Sequence, residues 1–191
     1  MSSKEMRAEQ DAPAERTDLT DVLTGCRAGQ REAQRRLYER CRHQVYRLMV
    51  RMVGVQDAAD LTQQVFLHVF RKIDQFAGRS KFDTWLYRLA INEALQHLRK
   101  GERWKFQTLS HDPEGQHASV GEQGEHKELL EHALARLEPE LRSIFVLRSV
   151  EGLSYHEIAE AIDIPEGTVG SRLNRARSEL QKHLVELGWE P

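Results

Sequence analysis

The sequence predicts an all-α protein of two small helical domains joined by a flexible linker. Three observations predict it. From Asp18 to Lys100, apolar residues recur three and four positions apart, the period of amphipathic helices. From Gly101 to Lys127 the period lapses, and Gly, Gln, Ser, Glu, Asp and His predominate, as in a linker. From Glu128 the helical period returns and ends in two short segments divided by a turn containing Pro165 and Gly167. The predicted organisation is a disordered tail over 1–17, a first domain over 18–100, a linker over 101–127 and a second domain over 128–188.

Met1 to Arg16 mixes Lys4, Arg7 and Arg16 with Glu5, Glu9, Asp11 and Glu15 and has no apolar stretch. It reads as a tail in a cytoplasmic protein, neither signal peptide nor anchor. Asp18 to Ala28 forms a short helix through Leu19, Val22, Leu23 and Cys26, ended by Gly29. Arg31 to Val53 forms a long one, with Leu37, Cys41, Val45, Leu48 and Met52 inside and Arg35, Arg36, Arg40, Arg42 and Arg47 outside. That arginine face is either solvated or meets something acidic. After Gly54, Asp57 to Phe76 carries Leu61, Val65, Val69, Ile73 and Phe76 as its inner stripe, widened by Phe66 and Phe70. Asp60, Gln63, Gln64 and Arg71 stay at the surface.

A loop, Ala77-Gly78-Arg79-Ser80-Lys81, leads into a fourth helix, Phe82 to Lys100. Winding it at about 100° per residue places Leu86, Ala90, Ile91, Ala94 and Leu98 on one arc and Trp85, Arg88, Asn92, Gln96 and Arg99 on the other. An indole beside Arg and Asn, next to a basic loop, suits an unstacked base, which needs an aromatic platform, hydrogen-bond partners and phosphate neutralisation. The competing reading is that Trp85 tucks under the preceding loop.

In the second domain, Glu128 to Leu137 and a helix opened by Pro139 and running to Gly152 precede the turn. Ser154 and Glu157 form a capping box that starts a short helix. Pro165 and Gly167 break it, and Thr168 is placed to cap a last helix with Val169, Leu173, Ala176, Leu180 and Leu184 on one side. Two helices around a tight turn, the second basic, make a helix-turn-helix or an αα-hairpin with a solvated face. Arg172, Arg175 and Arg177 within one short stretch favour DNA.

The net charge of −2 hides an asymmetry: residues 18–100 hold fifteen Lys and Arg against nine Asp and Glu, and residues 128–188 hold seven against eleven. Any DNA contact by the back half must be a local patch, because its overall field repels phosphate. Cys26 and Cys41 lack ligand or disulfide spacing and suit core positions. His111, His117 and His126 lack metal-ligand spacing. With no phosphate loop, nucleophile elbow or metal cluster, the sequence predicts neither an enzyme nor a cofactor.

Four segments together resemble an extracytoplasmic-function sigma factor of bacterial RNA polymerase. They are Asp57 to Phe66, Phe82 to Asn92, Leu137 to Arg142, and Gly167 to Arg177. The resemblance covers nearly everything from 18 to 185 and implies a sigma-2 domain, a linker and a sigma-4 domain, without a sigma-3 domain. It implies docking of Asp60, Gln63 and Gln64 on the β′ clamp helices of core RNA polymerase, with the β flap as a further contact of the partner. It implies −10 opening by the 77–81 loop, with Arg79 and Lys81, and by Trp85, Arg88 and Asn92. Ser171, Arg172, Asn174 and Arg175 resemble the −35 readers, and Arg177 a phosphate contact or helix support. An anti-sigma factor is a common partner, and through one the protein could be held at the membrane instead of at the nucleoid. The linker resembles the segment that follows the polymerase's RNA exit path. Two positions depart from the family pattern: Gln64 where many relatives carry an acid, and Gly170 where many carry Lys or Arg. The alternative function is a helix-turn-helix regulator acting without core polymerase; the residues show no dimerisation helix or ligand pocket for one.

Overall fold

The computed structural model describes residues 12–107 and 122–189, and their side chains over 19–101 and 129–189. Among the described residues the regular elements are all helical: α1 (Ala12–Arg27), α2 (Arg31–Val53), α3 (Val55–Lys72) with a 3-10 turn (Ile73–Gln75), α4 (Phe82–Gln107), α5 (Glu122–Ala135), α6 (Pro139–Ser149), α7 (Tyr155–Ile162) and α8 (Glu166–Glu186). The fold class is all-α, as the periodicity predicts. None of the described helices is long and apolar enough to cross a membrane.

Four boundaries differ from expectation. Helix α1 starts at Ala12, inside the predicted tail, because Ala12, Ala14 and Glu15 favour helix and Pro13 falls in the first turn, where its missing N–H costs nothing. Helices α4 and α5 both extend into the predicted linker; around Arg103 and Lys105 strong helix formers outweigh the lost apolar period. The segment 108–121, with His111 and His117, lies outside the described residues, as do Met1 to Asp11. Thr168 does not cap the last helix. Pro165, extended at φ −60° and ψ 135°, is its N-cap, and the Thr168 hydroxyl donates to the Pro165 carbonyl at 2.7 Å. One side chain also departs from its period: Leu130, spaced to share an inner face with Ala133, Leu134 and Leu137, is 39 % exposed.

In the front half, α2 and α3 pack along each other, joined through Gly54 alone at φ 89°, a conformation that favours glycine. Leu37, Cys41, Val45, Leu48 and Met52 from α2 interlock with Leu61, Val65 and Val69 from α3 and with Leu86, Ala90, Ile91 and Ala94 from α4. Each Leu, Ile, Val and Met among them contributes about 1.5–3 kcal/mol on burial, so these stripes, not surface ion pairs, set the fold. His68 to Glu93 at 2.8 Å and His97 to Asp57 at 3.1 Å tie α4 to α3. Both cysteines are buried, and burial raises their thiol pKa values, that of Cys41 to about 11.

The back half is built differently. Ala133, Leu134, Leu137 and Leu180 form a small cluster of their own. Ile144, Leu147, Leu153, Ile158, Val169 and Leu173 instead join the apolar cluster of the front half, and α7 packs on α4. The halves are therefore packed together as well as tethered. Arg142, only 6 % exposed, fastens them: one guanidinium nitrogen donates to the Met52 carbonyl of α2 at 2.5 Å, and the other to the carbonyls of Ala135 at 2.6 Å and Leu137 at 3.0 Å. These acceptors lie at or just beyond the C-terminal ends of two helices, where carbonyls lack intrahelical partners and the dipole favours a cation.

Candidate nucleic-acid interface

The loop before α4 is set by three rings. Phe76, ending the 3-10 turn, meets Phe82 edge-on at 5.5 Å and Trp85 at 5.5 Å, while Phe82 lies 5.7 Å from Trp85. A nitrogen of Arg27 on α1 donates to the Phe76 carbonyl at 2.6 Å, fixing where the loop leaves. Trp85 is thus half-buried: it does tuck under the loop, yet it also lines a cleft of about 790 Å³ with Lys72, Arg79, Arg88 and Asn92. Arg79, Lys81, Arg88 and Asn92 are exposed. The helical arc drawn from sequence is met, with Leu86, Ala90, Ile91 and Ala94 buried behind it.

Asp60, Gln63 and Gln64 are exposed together on α3, and Gln63 borders a groove with Tyr38, Arg42, His43 and Tyr46 of α2. Sequence reasoning missed Leu67 here. It is 55 % exposed one turn beyond Gln63 and Gln64, an apolar centre to a polar face. Its signal was available: it falls off the inner stripe of its own helix.

The capping box at the start of α7 is formed as expected. The Glu157 backbone N–H donates to Ser154 Oγ at 3.2 Å, and the Ser154 N–H donates to Glu157 Oε2 at 2.9 Å. Asp163, left-handed at φ 57°, turns the chain toward α8. On α8, Ser171, Arg172, Asn174, Arg175 and Arg177 are all exposed. At about 100° per residue, Ser171, Asn174 and Arg175 centre on the outward face, with Arg172 and Arg177 on opposite flanks. Arg175 is held by Glu179 at 2.7 Å and Glu138 at 3.6 Å, and the bond to Glu179 chiefly raises its pKa. Ser171 Oγ donates to the Thr168 carbonyl at 3.0 Å. Beneath α8, Gly170 lies against the ring of Tyr155, over which the Arg148 guanidinium stacks at 5.5 Å.

The two candidate faces lie close together. Asn92 of α4 and Arg172 of α8 border one small cleft of about 180 Å³. Lys81 in the loop pairs with Glu157 of the capping box at 2.9 Å. The Tyr87 hydroxyl donates to Glu151 at 2.6 Å and accepts from Gln44 at 2.5 Å; burial first, and the bond to Glu151 second, push its pKa up. Arg99 meets Glu140 at 3.2 Å. None of these cross-half pairs shows in the sequence, because each partner lies over forty positions from the other. Among the described residues no group of three or more His, Cys, Asp or Glu side chains is arranged to hold a metal.

A helix-turn-helix in one half and, in the other, a cleft lined by a half-buried indole and exposed cations are the features of the DNA-binding helical proteins. Comparison with known proteins narrows the class. The family description "Sigma-70 region 2" matches residues 37–104, and "Sigma-70, region 4" matches 127–180. The ECF RNA polymerase sigma-E factor of Haemophilus influenzae is 36 % identical over 185 residues, covering 88 % of this chain and 97 % of that one. The sigma-E factor of Escherichia coli K12 is 34 % identical over 188 residues, covering 88 % and 96 %. The RNA polymerase sigma-H factor of Pseudomonas aeruginosa is 36 % identical over 159 residues, covering 76 % and 82 %. In fold, the chain is similar to the sigma factor RpoE of Bartonella quintana, solved with the anti-sigma factor NepR, at TM-score 0.62 and 23 % identity over 81 % of this chain and 98 % of that one. It is also similar to CnrH, solved with the cytosolic domain of CnrY, at TM-score 0.60 and 20 % identity over 88 % and 97 %. The chain belongs to the extracytoplasmic-function sigma factors of the sigma-70 family, and its function is that of an alternative sigma factor directing promoter-specific transcription.

Proposed function

We propose that the front half docks on core RNA polymerase through Asp60, Gln63 and Gln64, with Leu67 as apolar anchor, and opens the −10 element with Arg79, Lys81, Trp85, Arg88 and Asn92. The back half reads the −35 duplex through Ser171, Arg172, Asn174 and Arg175, while Arg177 meets a phosphate. The observation that carries this reading is the α4 face: an indole fixed on one side by Phe76 and Phe82, beside an exposed Arg and Asn.

Unpairing a base costs a few kcal/mol. Stacking on an aromatic ring returns about 1–3 kcal/mol per base, and phosphate contacts add sequence-independent affinity. A platform whose ring is already immobile loses little entropy when the base arrives. Asn92 offers both a donor and an acceptor to a base edge, and Arg88 suits the adjacent phosphate. An anti-sigma factor is the natural regulatory partner, since both similar solved structures carry one. The protein acts in the cytoplasm, at promoter DNA.

The test is permanganate footprinting and run-off transcription on a panel of −10 variants, using holoenzymes of matched core affinity. Asn92→Ala should change which −10 base is preferred, and Arg88→Ala should weaken opening at every promoter alike. An Asn92→Ala holoenzyme that keeps the wild-type order of preference would remove base reading from this face.

A further inference from the structure

Arg175 differs from the other arginines of the α8 face. Its Nε donates to Glu179 Oε1 at 2.7 Å, one turn further along the same helix, and a terminal nitrogen lies 3.6 Å from Glu138 Oε2, just before α6. Arg172 and Arg177 have no ion pair among the described residues.

A guanidinium presents its N–H donors in a planar fork. The bond to Glu179 takes up Nε alone, and at 3.6 Å Glu138 is too far for a hydrogen bond, so the N–H groups of Nη1 and Nη2 stay unspent. With those donors an arginine can grip O6 and N7 of guanine end-on in the major groove. The alternative grip, side-on through Nε, is closed by Glu179. Helix support is a poor account of this pair. Along a helix the better order places the carboxylate four positions before the cation, and here the cation comes first. Nor does the charge help a DNA surface, since a carboxylate repels phosphate and the back half is already net acidic. What Glu179 supplies is a fixed fork. The Arg175 side chain is 64 % exposed, and a long exposed side chain loses rotamer freedom on meeting a base; the bond at 2.7 Å takes that loss in advance.

Resting on the −35 reading of α8, we infer that Glu179 is a positioning residue for Arg175: it aims the guanidinium end-on at a guanine of the −35 element and lowers the affinity of the same surface for DNA of other sequence. Both effects raise discrimination. Glu138, outside hydrogen-bonding distance, does no aiming.

The test uses holoenzymes assembled with wild type, Arg175→Ala, Glu179→Ala, Glu179→Gln and Glu138→Gln. Each is selected against a duplex promoter library randomised over the −35 element and carrying a pre-opened −10 segment, and bound and free pools are sequenced. Circular dichroism melts establish that every variant chain is folded. In the wild type one position should prefer guanine by about fivefold or more, and Arg175→Ala should lose that preference. Glu179→Ala should lose most of it at that position alone, while its affinity for a duplex with a scrambled −35 element stays equal or rises. Glu179→Gln should keep most of it, because the amide oxygen accepts from Nε as the carboxylate does. Glu138→Gln removes the same charge and should change the preference by less than about twofold. The positioning is overturned by a Glu179→Ala holoenzyme that keeps the guanine preference or loses preference equally at every position. It is overturned as well by a Glu179→Gln holoenzyme that falls as far as Glu179→Ala, or by a base other than guanine at the position Arg175→Ala affects. Failure of the −35 reading is seen separately, as an Arg175→Ala holoenzyme with wild-type preferences throughout, and it removes this inference too.

Discussion

Arg79 and Arg88 in the front half have no ion-pair partner among the described residues, whereas Arg175 in the back half is held between Glu138 and Glu179. The difference follows from the field each half makes. The front half is net basic, so a cation there more often lacks a nearby carboxylate, as Arg79 and Arg88 do among the described residues. The back half is net acidic, and its central arginine is held between two of its carboxylates. The cores differ in the same sense. Long helices give the front half a self-sufficient apolar stripe, and short helices leave the back half sharing part of its core with α4.

The sharpest way to break this comparison is to cut the fastening between the halves. Arg142→Ala removes a buried guanidinium and strands three helix-end carbonyls, a change expected to cost about 1–3 kcal/mol for each carbonyl that water does not reach. Urea unfolding followed by circular dichroism measures it. A loss below about 1 kcal/mol, the size of one ordinary hydrogen bond, would mean that Arg142 fastens neither the ends of its own half nor the front half at Met52. Desolvation already lowers the Arg142 pKa, which fits a cation kept buried by its acceptors and not by an opposing charge.

The same substitution should act with opposite sign in the two halves when made at a packed and an open glycine. A Cβ on Gly25 would lie 2.6 Å from the Ala33 Cβ, a crowding of α1 on α2 that costs about 1–3 kcal/mol. A Cβ on Gly170 would meet the Tyr155 ring at 3.5 Å, an ordinary contact. Gly170→Ala should therefore stabilise by about 0.5–1 kcal/mol, the usual gain inside a helix. Thermal melts of the two variants check both signs at once.

Most of the fold was legible because helical periodicity is a local signal. The inner faces of α2, α3 and α4 lie where the spacing of Leu37 to Met52, Leu61 to Phe76 and Leu86 to Ala94 puts them, with Leu98 at the end of the arc only partly covered. The exposure of Arg88, Asn92, Ser171 and Arg175 follows from the same winding. The start of α8 was misread because Pro165 is an uncommon N-cap and Thr168 a common one. What periodicity cannot carry is a contact between residues remote in sequence. Arg142 reads as one more motif residue until Met52 is beside it, and Tyr87 as one more buried ring until Glu151 and Gln44 claim its hydroxyl. The half-burial of Trp85 reconciles two readings that the sequence leaves apart, since one ring serves both as loop support and as part of the cleft.

The smallest expected effect tests whether local capping or the tie between halves dominates at Glu157. Its pKa is lowered to about 2, first by the Ser154 backbone N–H and next by Lys81 of the front half. The folded-state value lies below the ordinary 4.5, so the contribution is complete above about pH 4.5 and is lost as pH falls toward about 2. Glu157→Gln keeps the reach-back of a capping box and removes only the charge, so its cost near neutrality should be a few tenths of a kcal/mol, roughly that of a surface ion pair. Urea midpoints measured across the acid range should show wild type and Glu157→Gln parallel near neutrality and converging between about pH 4.5 and 2. Because the backbone bond is the larger cause, Lys81→Ala should leave most of that convergence in place. If Lys81→Ala abolishes it, the charge of Glu157 serves the closure of the two halves more than the start of its own helix. The acid limb of stability would then report on the front half as much as on the back.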